Sequence, residues 1–421
     1  MTAAPLRLGI AGLGTVGIGV VKILRRHAKQ LEARAGRPVQ LVAVSARDRV
    51  KDRGVPLADY AWEDDPIALA RRDDVDLFVE LIGGGDGPAK AATEVALDQG
   101  KPVVTANKAM LALHGQDLAR RAEANTTTIR FEAAVAGGIP VMKALTEGLA
   151  GNEITRVMGV MNGTCNYILT RMASAGLSYD EVFAEADALG YLEADPTLDV
   201  GGIDAAHKLA LLAAVAYGTA PNFGGIEIEG IERVSIDDIR QAADMGFAIK
   251  LLGVAQPTAR GLEQRMSPCL VPLTSPLGQL DGATNMVVLE GDSVGQIVLR
   301  GAGAGEGPTA SAVMGDVVDI ARGLTVPTFG QTVAQLSEAH PAQAATPAPY
   351  YLRMTLTDKP GAMAKVATVL GESGISINRM RQYQHEAPEA PVLFVTHKTT
   401  RAALDTALNA FPATGVVAGD P

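Results

Sequence analysis

The feature that most constrains this chain is a glycine-rich turn near its first residue. Residues 6–10 form a short apolar segment typical of a strand, and residues 16–24 have the apolar spacing of a helix. In the turn between them, Gly12 permits a tight bend, Gly14 lets the backbone approach a pyrophosphate, and Gly17 allows close helix packing. The free N–H groups and the dipole of a helix N-terminus also favour a phosphate. The pattern predicts a dinucleotide site, with a ligand-free turn as the alternative. Its predicted contacts are Gly12, Gly14, Thr15, Val16 and Gly17.

Further apolar segments at residues 40–45, 77–82 and 102–105 alternate with helical patterns. Strands that are covered by helices on both faces are almost wholly apolar, so this alternation predicts an α/β fold with a parallel, doubly wound sheet. We therefore predict a Rossmann-type NAD(P)-binding domain over residues 1–137. A helical pattern within about 309–330 is expected to complete it.

The residues that follow the second strand bear on the choice of dinucleotide. NAD-binding proteins usually place an acid at this point to hold the ribose hydroxyls. Here the strand ends at Ser45 with no acid directly after it, and Arg47, Arg49 and Lys51 follow. Arg47 could contact a 2′-phosphate, whereas a solvated position is about as plausible for Arg49. We expect NADP to be preferred and NAD to be usable.

The pattern changes after residue 137. Helical and strand-like segments over residues 138–308 predict a separate α+β domain, with helices over 139–149 and 203–217 and a strand over 153–161. An Ala- and Pro-rich linker is predicted over residues 331–349. Residues 350–421 have the order β-α-β-β-α of a small α+β module.

Composition excludes several classes of protein. The chain has 37 basic and 47 acidic residues, a net charge of −10, which disfavours non-specific nucleic-acid binding. Its longest near-continuous apolar run, residues 209–217, is far short of the roughly 20 residues of a membrane span. Two cysteines and six histidines provide neither a disulfide framework nor transition-metal spacing. We expect a cytoplasmic protein without nucleic-acid or membrane partners.

The chemistry-bearing segment runs from Glu193 to Lys208 and contains four carboxylates. Asp204 and Lys208 are one helical turn apart, so they share a helix face. Such a pair could transfer a proton, with the lysine as the acid or base and the aspartate positioning it, and other carboxylates could hold a substrate ammonium. A solvent-exposed ion pair is the alternative. Lys108 follows the fourth strand, at the end of the sheet where doubly wound folds bind ligands. It is predicted to lie near the nicotinamide or the substrate, with a surface lysine at a helix start as the alternative.

These residues resemble the homoserine dehydrogenase family. The resemblance rests on GLGTVG, VTANKAML, FEAAVAGGIP, MNGTCNYIL and EADPTLDVGGIDAAHK, which occur in the family's order and span most of the chain. Leu192 departs from the family, which usually has a small residue there. The resemblance implies reversible NAD(P)-dependent interconversion of L-homoserine and L-aspartate 4-semialdehyde, on the route to threonine, methionine and isoleucine. It also implies that residues 138–308 are the catalytic and dimerisation domain.

The resemblance also implies roles for individual residues. Lys208 corresponds to the proton donor or acceptor, Lys108 to a second lysine near substrate and nicotinamide, and Asp204 to the partner of the catalytic lysine. Glu193 and Asp199 correspond to substrate-binding residues. Two further sites are implied. The cofactor site includes Thr105, Lys108, Gly303 and Glu306. A Na⁺ or K⁺ site is made by Glu132 with the carbonyls of Val135, Gly137 and Ile139.

The C-terminal module resembles an ACT domain, through residues 356–366 and 374–378. Such ferredoxin-like domains commonly pair and bind amino acids at their interface. The resemblance implies a homo-oligomer, a dimer or tetramer, and threonine as an effector at Asp358, Gly361 and Asn378. A purely oligomerising module is the alternative.

Two competing functions are another NADP-dependent oxidoreductase of amino-acid metabolism and a non-catalytic amino-acid sensor on the same scaffold. The segment from Glu193 to Lys208 argues against the first, and the presence of both Lys108 and Lys208 argues against the second.

Overall fold

The structure is a computed structural model that describes residues 3–192, 195–343, 345–382 and 389–419. It divides into two compact units, one of Met1–Pro257 with Gln264–Pro341 and one of Thr258–Glu263 with Ala342–Pro421. The predicted linker, residues 331–349, is therefore shared between the units. Its first part is hydrogen-bonded within the first unit, since the Ser337 amide donates to the Gly218 carbonyl at 3.0 Å.

The first sheet has six parallel strands in the order β3-β2-β1-β4-β5-β6, which confirms the predicted doubly wound fold. Its strands are β1 (Leu6–Ala11), β2 (Val39–Ser45), β3 (Ala61–Glu63), β4 (Leu77–Glu80), β5 (Val103–Thr105) and β6 (Ile129–Arg130). The helices among them are α1 (Thr15–Arg26), α2 (Ala28–Ala35), α3 (Pro66–Arg71), α4 (Pro88–Asp98) and α5 (Lys108–Ala124).

Burial explains why this sheet forms. Leu8, Ile10 and Val79 are fully buried, as expected for strands that are covered on both faces. The strand order reverses between β1 and β4, so the carboxyl ends of these two strands border the crevice where such sheets bind ligands.

The second sheet has the order β12-β11-β7-β9-β10-β8. Its strands are β7 (Ile154–Val160), β8 (Glu227–Ile228), β9 (Phe247–Thr258), β10 (Gly261–Pro272), β11 (Thr284–Gly291) and β12 (Gly295–Ala302). The associated helices are α6 (Glu132–Ala136), α7 (Val141–Lys143), α8 (Gly163–Ala175), α9 (Tyr179–Ala188), α10 (Thr197–Val200), α11 (Ile203–Tyr217), α12 (Ile236–Asp244) and α13 (Glu306–Ala321). Helix α13 returns to the first sheet and packs on α1, where a Cβ on Gly19 would lie 2.9 Å from that of Ala310.

The segment predicted as one helix over 139–149 differs from that expectation. Helix α7 is a single turn that begins after Pro140, and a π-helix follows over Ala144–Gly148. The Leu149 amide donates to the carbonyl of Ala144, five residues earlier, at 2.8 Å. A π-helical turn of this kind has no signature in apolar spacing, so the sequence did not indicate it.

The third sheet is antiparallel in the order β14-β15-β13-β16 and belongs to the second unit. Its elements are β13 (Tyr351–Thr357), α14 (Ala362–Glu372), β14 (Ile377–Gln382), β15 (Glu389–Thr396), α15 (Arg401–Ala410) and β16 (Val417–Ala418). This is the predicted ferredoxin-like arrangement. Burial alternates along β13, because one face packs on a core that includes Val366, Phe394 and Phe411.

Strand β16 was not predicted. It has two residues, which are too few to show the alternation that marks a strand. In the described part of the chain, no helix combines the length and the apolar character that crossing a membrane requires.

Candidate active site

Lys108 is the first residue of α5, directly after β5. The Asn107 side chain fixes this helix start, since it accepts from the Met110 amide at 3.1 Å and donates to the Gly84 carbonyl at 2.7 Å. The Thr105 hydroxyl accepts from the Asn107 amide at 2.9 Å and donates to the Glu80 carboxylate at 2.5 Å. Thr105, predicted to contact a cofactor, therefore has its hydroxyl engaged in holding the segment that carries Lys108.

Lys108 and Lys208 meet at one carboxylate. The Lys108 Nζ lies 2.9 Å from Asp204 Oδ1, and the Lys208 Nζ lies 2.7 Å from Asp204 Oδ2. The side chains of Asp204 and Lys208 are only 7% and 11% exposed. The Asp204–Lys208 pair is thus buried, and the solvent-exposed alternative is wrong for it.

The electrostatics of this cluster keep Asp204 ionised. Burial by itself would raise the pKa of the Asp204 carboxyl, because it disfavours the charged form. The positive charges of Lys208 and Lys108 and their hydrogen bonds outweigh burial and hold that pKa well below its usual range. Asp204 is therefore an anion at neutral pH that orients two ammonium groups.

A turn after β7 completes the cluster. Besides its bond to Asp204, Lys208 Nζ donates a hydrogen bond to the Met161 carbonyl at 2.8 Å. Asn162 Nδ2 donates to Asp199 Oδ1 at 2.8 Å and to Asp204 Oδ2 at 3.2 Å. Of the predicted substrate-binding residues, Asp199 is thus within the cluster, and Glu193 lies outside the described residues.

Asn162 also forms the N-terminal cap of α8, because its Oδ1 accepts from the Cys165 amide at 2.8 Å. Asn162 and Met161 belong to the motif MNGTCNYIL, from which no individual role was predicted for either residue. An Asn between a strand and a helix is a capping signal that could have indicated Asn162. The neighbouring Cys165 is fully buried, and burial raises the pKa of its thiol, which suits packing rather than nucleophilic attack.

The glycine-rich turn has the geometry of a phosphate site. Gly12 has φ +99°, and a Cβ there would lie 2.3 Å from the Leu81 carbonyl oxygen. A Cβ on Gly17 would lie 2.0 Å from the Gly12 carbonyl oxygen, whereas a Cβ on Gly14 would meet nothing within 4 Å. The first turn of α1 starts with Thr15 and Val16 and contains no acid, and no side chain caps it at Gly14. Its amide groups therefore suit a phosphate.

The loop after β2 lies beside this turn. Arg47 is exposed there. Sequence reasoning missed Arg53, whose Nε donates to the Leu13 carbonyl at 3.2 Å and whose Nη2 donates to the Asp48 carbonyl at 2.5 Å. The guanidinium carbons of Arg49 and Arg53 lie 5.9 and 5.6 Å from the centroid of the Trp62 ring. No local pattern marks Arg53, since its role depends on contacts with the folded turn.

The glycine-rich segment of residues 301–306 approaches α1. Glu306 is the first residue of α13 and accepts from Lys22 of α1 at 2.8 Å. Gly303 lies against the turn after α6, because a Cβ on Gly137 would come within 2.3 Å of the Gly303 carbonyl oxygen.

Glu132 is buried at the start of α6. Its two carboxylate oxygens accept from the amides of Met142 and Lys143 at 2.8 and 2.9 Å. Burial, and after it the charge of Asp316, raises the pKa of Glu132 to about 7. A carboxylate oxygen has more than one acceptor position, so these two hydrogen bonds do not use up the acceptor capacity of Glu132. Within residues 3–192, 195–343, 345–382 and 389–419, no group of three His, Cys, Asp or Glu residues could hold a metal ion.

The predicted effector residues lie in the third sheet's module. Asp358 is exposed after β13, and Gly361 precedes α14 with φ +86°. Asn378 is in β14, with Nδ2 at 3.4 Å from Nδ1 of His397. Strands β13 and β14 are separated by β15 in the sheet.

The strand order and the open turn are those of a dinucleotide-binding protein with a doubly wound sheet. Family models narrow the class. The model "Homoserine dehydrogenase, NAD binding domain" matches residues 12–132, "Homoserine dehydrogenase" matches 140–318, and "ACT domain" matches 350–412. The chain belongs to the homoserine dehydrogenase family, as its resemblance implied.

Individual relatives agree over nearly the full length. A homoserine dehydrogenase of Neisseria gonorrhoeae is 40% identical, over 97% of this chain and 95% of the relative. The crystal structure of a homoserine dehydrogenase from Thiobacillus denitrificans is similar with a TM-score of 0.94 and 39% identity, over 100% of this chain and 98% of that one. A hyperthermophilic archaeal homoserine dehydrogenase mutant in complex with NADPH has a TM-score of 0.65 and 27% identity, over 76% of this chain and 99% of that one.

Proposed function

We propose that this chain interconverts L-homoserine and L-aspartate 4-semialdehyde with NAD(P), and that Lys208 is its proton donor and acceptor. The observation that carries the role of Lys208 is its buried hydrogen-bonding pattern. An ammonium has three N–H donors, and two of them are directed to Asp204 and to the Met161 carbonyl. The third has no partner among the described residues and is available to a substrate oxygen.

The residues of the cluster then have distinct tasks. A bound nicotinamide supplies the hydride to the aldehyde carbon, or accepts it from the alcohol carbon in the reverse direction. During reduction, Lys208 gives a proton to the oxygen that becomes the hydroxyl, and in oxidation it takes that proton back. Lys108, held on the same carboxylate, adds positive charge where the oxygen becomes negative. Asp199, together with Glu193, is proposed to hold the substrate ammonium.

The test is homoserine-dependent reduction of NADP⁺ and NAD⁺ by the parent chain and by Lys208→Ala. We expect turnover by the parent and a loss of about 10²–10⁴-fold in kcat for the variant, with the fold retained by circular dichroism. Lys90→Ala is the control, since Lys90 pairs with Glu94 on the helix α4. Turnover by folded Lys208→Ala at the parent's rate would contradict the assignment, and no turnover by the folded parent would favour the amino-acid sensor.

For the dinucleotide, we propose the contacts Gly12, Gly14, Thr15, Val16, Gly17, Arg47, Thr105, Lys108, Gly303 and Glu306, with NADP preferred. The archaeal relative in complex with NADPH and the exposed position of Arg47 beside the turn support this. Arg47→Ala should lower kcat/KM for NADP⁺ about tenfold and leave NAD⁺ within about twofold, because only NADP⁺ carries the 2′-phosphate. Arg26→Ala, at the far end of α1, is the control. An equal loss with both dinucleotides would rule out a 2′-phosphate contact.

Two further sites are proposed. Glu132, with the carbonyls of Val135, Gly137 and Ile139, would hold Na⁺ or K⁺, which the buried Glu132 carboxylate favours. The ACT domain would pair with a second copy and bind threonine through Asp358, Gly361 and Asn378, placing the enzyme under feedback in threonine, methionine and isoleucine synthesis. Adding threonine to the same assay should suppress turnover, and an unchanged rate would leave the domain an oligomerising module.

A further inference from the structure

Asn285 is a buried residue of β11 to which none of the proposed roles refers. It is 1% exposed. Its Nδ2 donates to the Met161 carbonyl at 3.0 Å, and the same carbonyl accepts from Lys208 Nζ at 2.8 Å. A single backbone oxygen is therefore shared by the proposed proton donor and by Asn285.

The Asn285 amide also packs on Gly303, within the segment of residues 301–306 that returns toward α1. A Cβ on Gly303 would lie 1.9 Å from Asn285 Nδ2 and 2.1 Å from its Cγ, so the glycine backbone rests directly against the amide. Gly303 also lies close to Gly137, since a Cβ on Gly137 would come within 2.3 Å of the Gly303 carbonyl oxygen. Because these groups are in direct contact, a shift of Gly303 toward the amide would displace the Asn285 side chain.

The polar character of Asn285 has a cost. Its Oδ1 is buried and has no hydrogen-bond partner among the described residues. A buried acceptor without a partner is unfavourable, and an apolar side chain of similar shape would avoid that penalty. Among the described residues, the only hydrogen bond of the Asn285 side chain is the one to Met161, which indicates that this contact is what the amide provides.

We infer that Asn285 is a positioning residue of the reaction: its amide fixes the Met161 carbonyl that orients Lys208, and it ties that carbonyl to the Gly303 backbone. The inference rests on the proposed role of Lys208. In this role Asn285 connects the proposed proton donor, Lys208, to the segment of residues 301–306. That segment contains Gly303 and Glu306, which are proposed to contact the dinucleotide. Displacing a reacting group by about 1 Å costs on the order of 10²-fold in rate, so a lost orienting contact is measurable.

The experiment compares Asn285→Ala with Asn166→Ala. Asn166 is also 1% exposed and also donates to a backbone carbonyl, that of Gly282 at 2.7 Å. Its Oδ1 accepts from Lys250 at 3.0 Å, so its side-chain hydrogen bonds are directed away from Met161 and Lys208. We expect Asn285→Ala to lower kcat for homoserine oxidation at least about tenfold with KM for homoserine within about twofold. For Asn166→Ala we expect a similar loss of thermal stability and kcat within about twofold.

Two more readouts separate positioning from general damage. Asn285→Asp keeps the shape but brings a carboxylate near the Lys208 ammonium, so the midpoint of the pH profile of kcat should move to higher pH, while Asn166→Asp should leave it in place. Gly303→Ala should weaken NADPH binding, measured by fluorescence titration, and combining it with Asn285→Ala should restore part of that loss because the clash at the amide is removed.

The outcomes are distinct. Asn285→Ala with the parent's kcat, or with a loss that Asn166→Ala matches, would overturn the inference while leaving the proposed function standing. So would an unmoved pH midpoint in Asn285→Asp, or full additivity with Gly303→Ala. A folded parent that does not oxidise homoserine would overturn the proposed function, and the inference with it.

Discussion

The glycine-rich turn and the lysine–carboxylate cluster are built in opposite ways. The turn is formed by consecutive residues, Gly12 to Gly17, and offers a ligand its backbone amides and open space. The cluster is formed by side chains from separate elements, with Lys108 on α5, Asp199 on α10, and Asp204 and Lys208 on α11. The turn therefore depends on the absence of side-chain atoms, whereas the cluster depends on a balance of buried charges.

This difference predicts how each region fails. A backbone site is sensitive to an added methyl group at a few positions, because each added carbon occupies space that the ligand or the chain needs. A buried charge cluster is sensitive to the loss of a single charge, because the remaining groups lose their compensation in a medium where water cannot replace it.

The largest expected effect is that of Asp204→Asn. The substitution keeps the size of the side chain but leaves the ammonium groups of Lys108 and Lys208 without their shared anion. We expect kcat to fall about 100-fold and the free energy of unfolding to fall by about 3 kcal/mol, measured by steady-state kinetics and urea denaturation.

Asp405→Asn is the matched control for that change. Asp405 pairs with Arg401 at the same one-turn spacing, 2.8 Å apart, but both side chains are about half exposed. Its loss should cost less than about 1 kcal/mol. Equal destabilisation by the two substitutions would show that burial does not distinguish these pairs.

The next effect compares Gly17→Ala with Gly14→Ala. The added Cβ at Gly17 would collide with the Gly12 carbonyl oxygen, so we expect a loss of about 3 kcal/mol in unfolding free energy together with lost dinucleotide binding. The added Cβ at Gly14 meets no protein atom within 4 Å. Gly14→Ala should therefore stay within about 1 kcal/mol of the parent and weaken NADPH binding about tenfold. Parent-like binding by folded Gly14→Ala would contradict the proposed phosphate approach.

The smallest effect concerns His207, which stacks on Phe223 with ring centroids 4.3 Å apart. Burial, and the nearby charges of Lys108 and Lys208, lower the pKa of His207 below 6.5, although Asp204 acts in the opposite direction. Because the pKa of His207 is lower in the folded than in the unfolded chain, protonation favours unfolding. The free energy of unfolding is therefore highest above pH 6.5 and decreases as the pH falls through the pKa of the folded state.

Thermal unfolding at pH 7.5 and pH 5.5 tests this sign. The melting temperature should fall further between pH 7.5 and pH 5.5 in the parent than in His207→Gln. We expect the two decreases to differ by about 1–3 °C. An identical loss in both chains would show that His207 does not contribute to this pH dependence.

The comparison also explains which residues could be predicted. The glycine-rich turn and the helix over Ile203–Tyr217 have local signatures, and the structure has them where the sequence placed them. The predicted strands of the first sheet begin and end within two residues of their predicted bounds. Lys108 and Lys208 could each be proposed from their positions after a strand and on a helix face. Their meeting at Asp204 could not, because it depends on how α5 and α11 pack.

Residues that act only through tertiary contacts had no signal. Glu80 ends β4 as a buried acid that accepts from Thr105, Arg53 bonds the carbonyl of Leu13, and Asn285 bonds the carbonyl of Met161. Each of these three hydrogen bonds joins residues that are at least 25 positions apart in the chain. Spacing rules describe neighbours on one helix or strand, so they do not reach such pairs.

The sequence by itself determined the sheet type, the position of the dinucleotide turn, the ACT module and the family, since each depends on contiguous residues or on their periodic burial. Only the tertiary structure decided that the Asp204–Lys208 pair is buried, that Lys108 shares its carboxylate, and that Asn285 joins the Met161 carbonyl to Gly303. The physical reason is that buried charges and shared hydrogen-bond acceptors are set by which atoms packing brings together, and packing is a property of the whole folded chain.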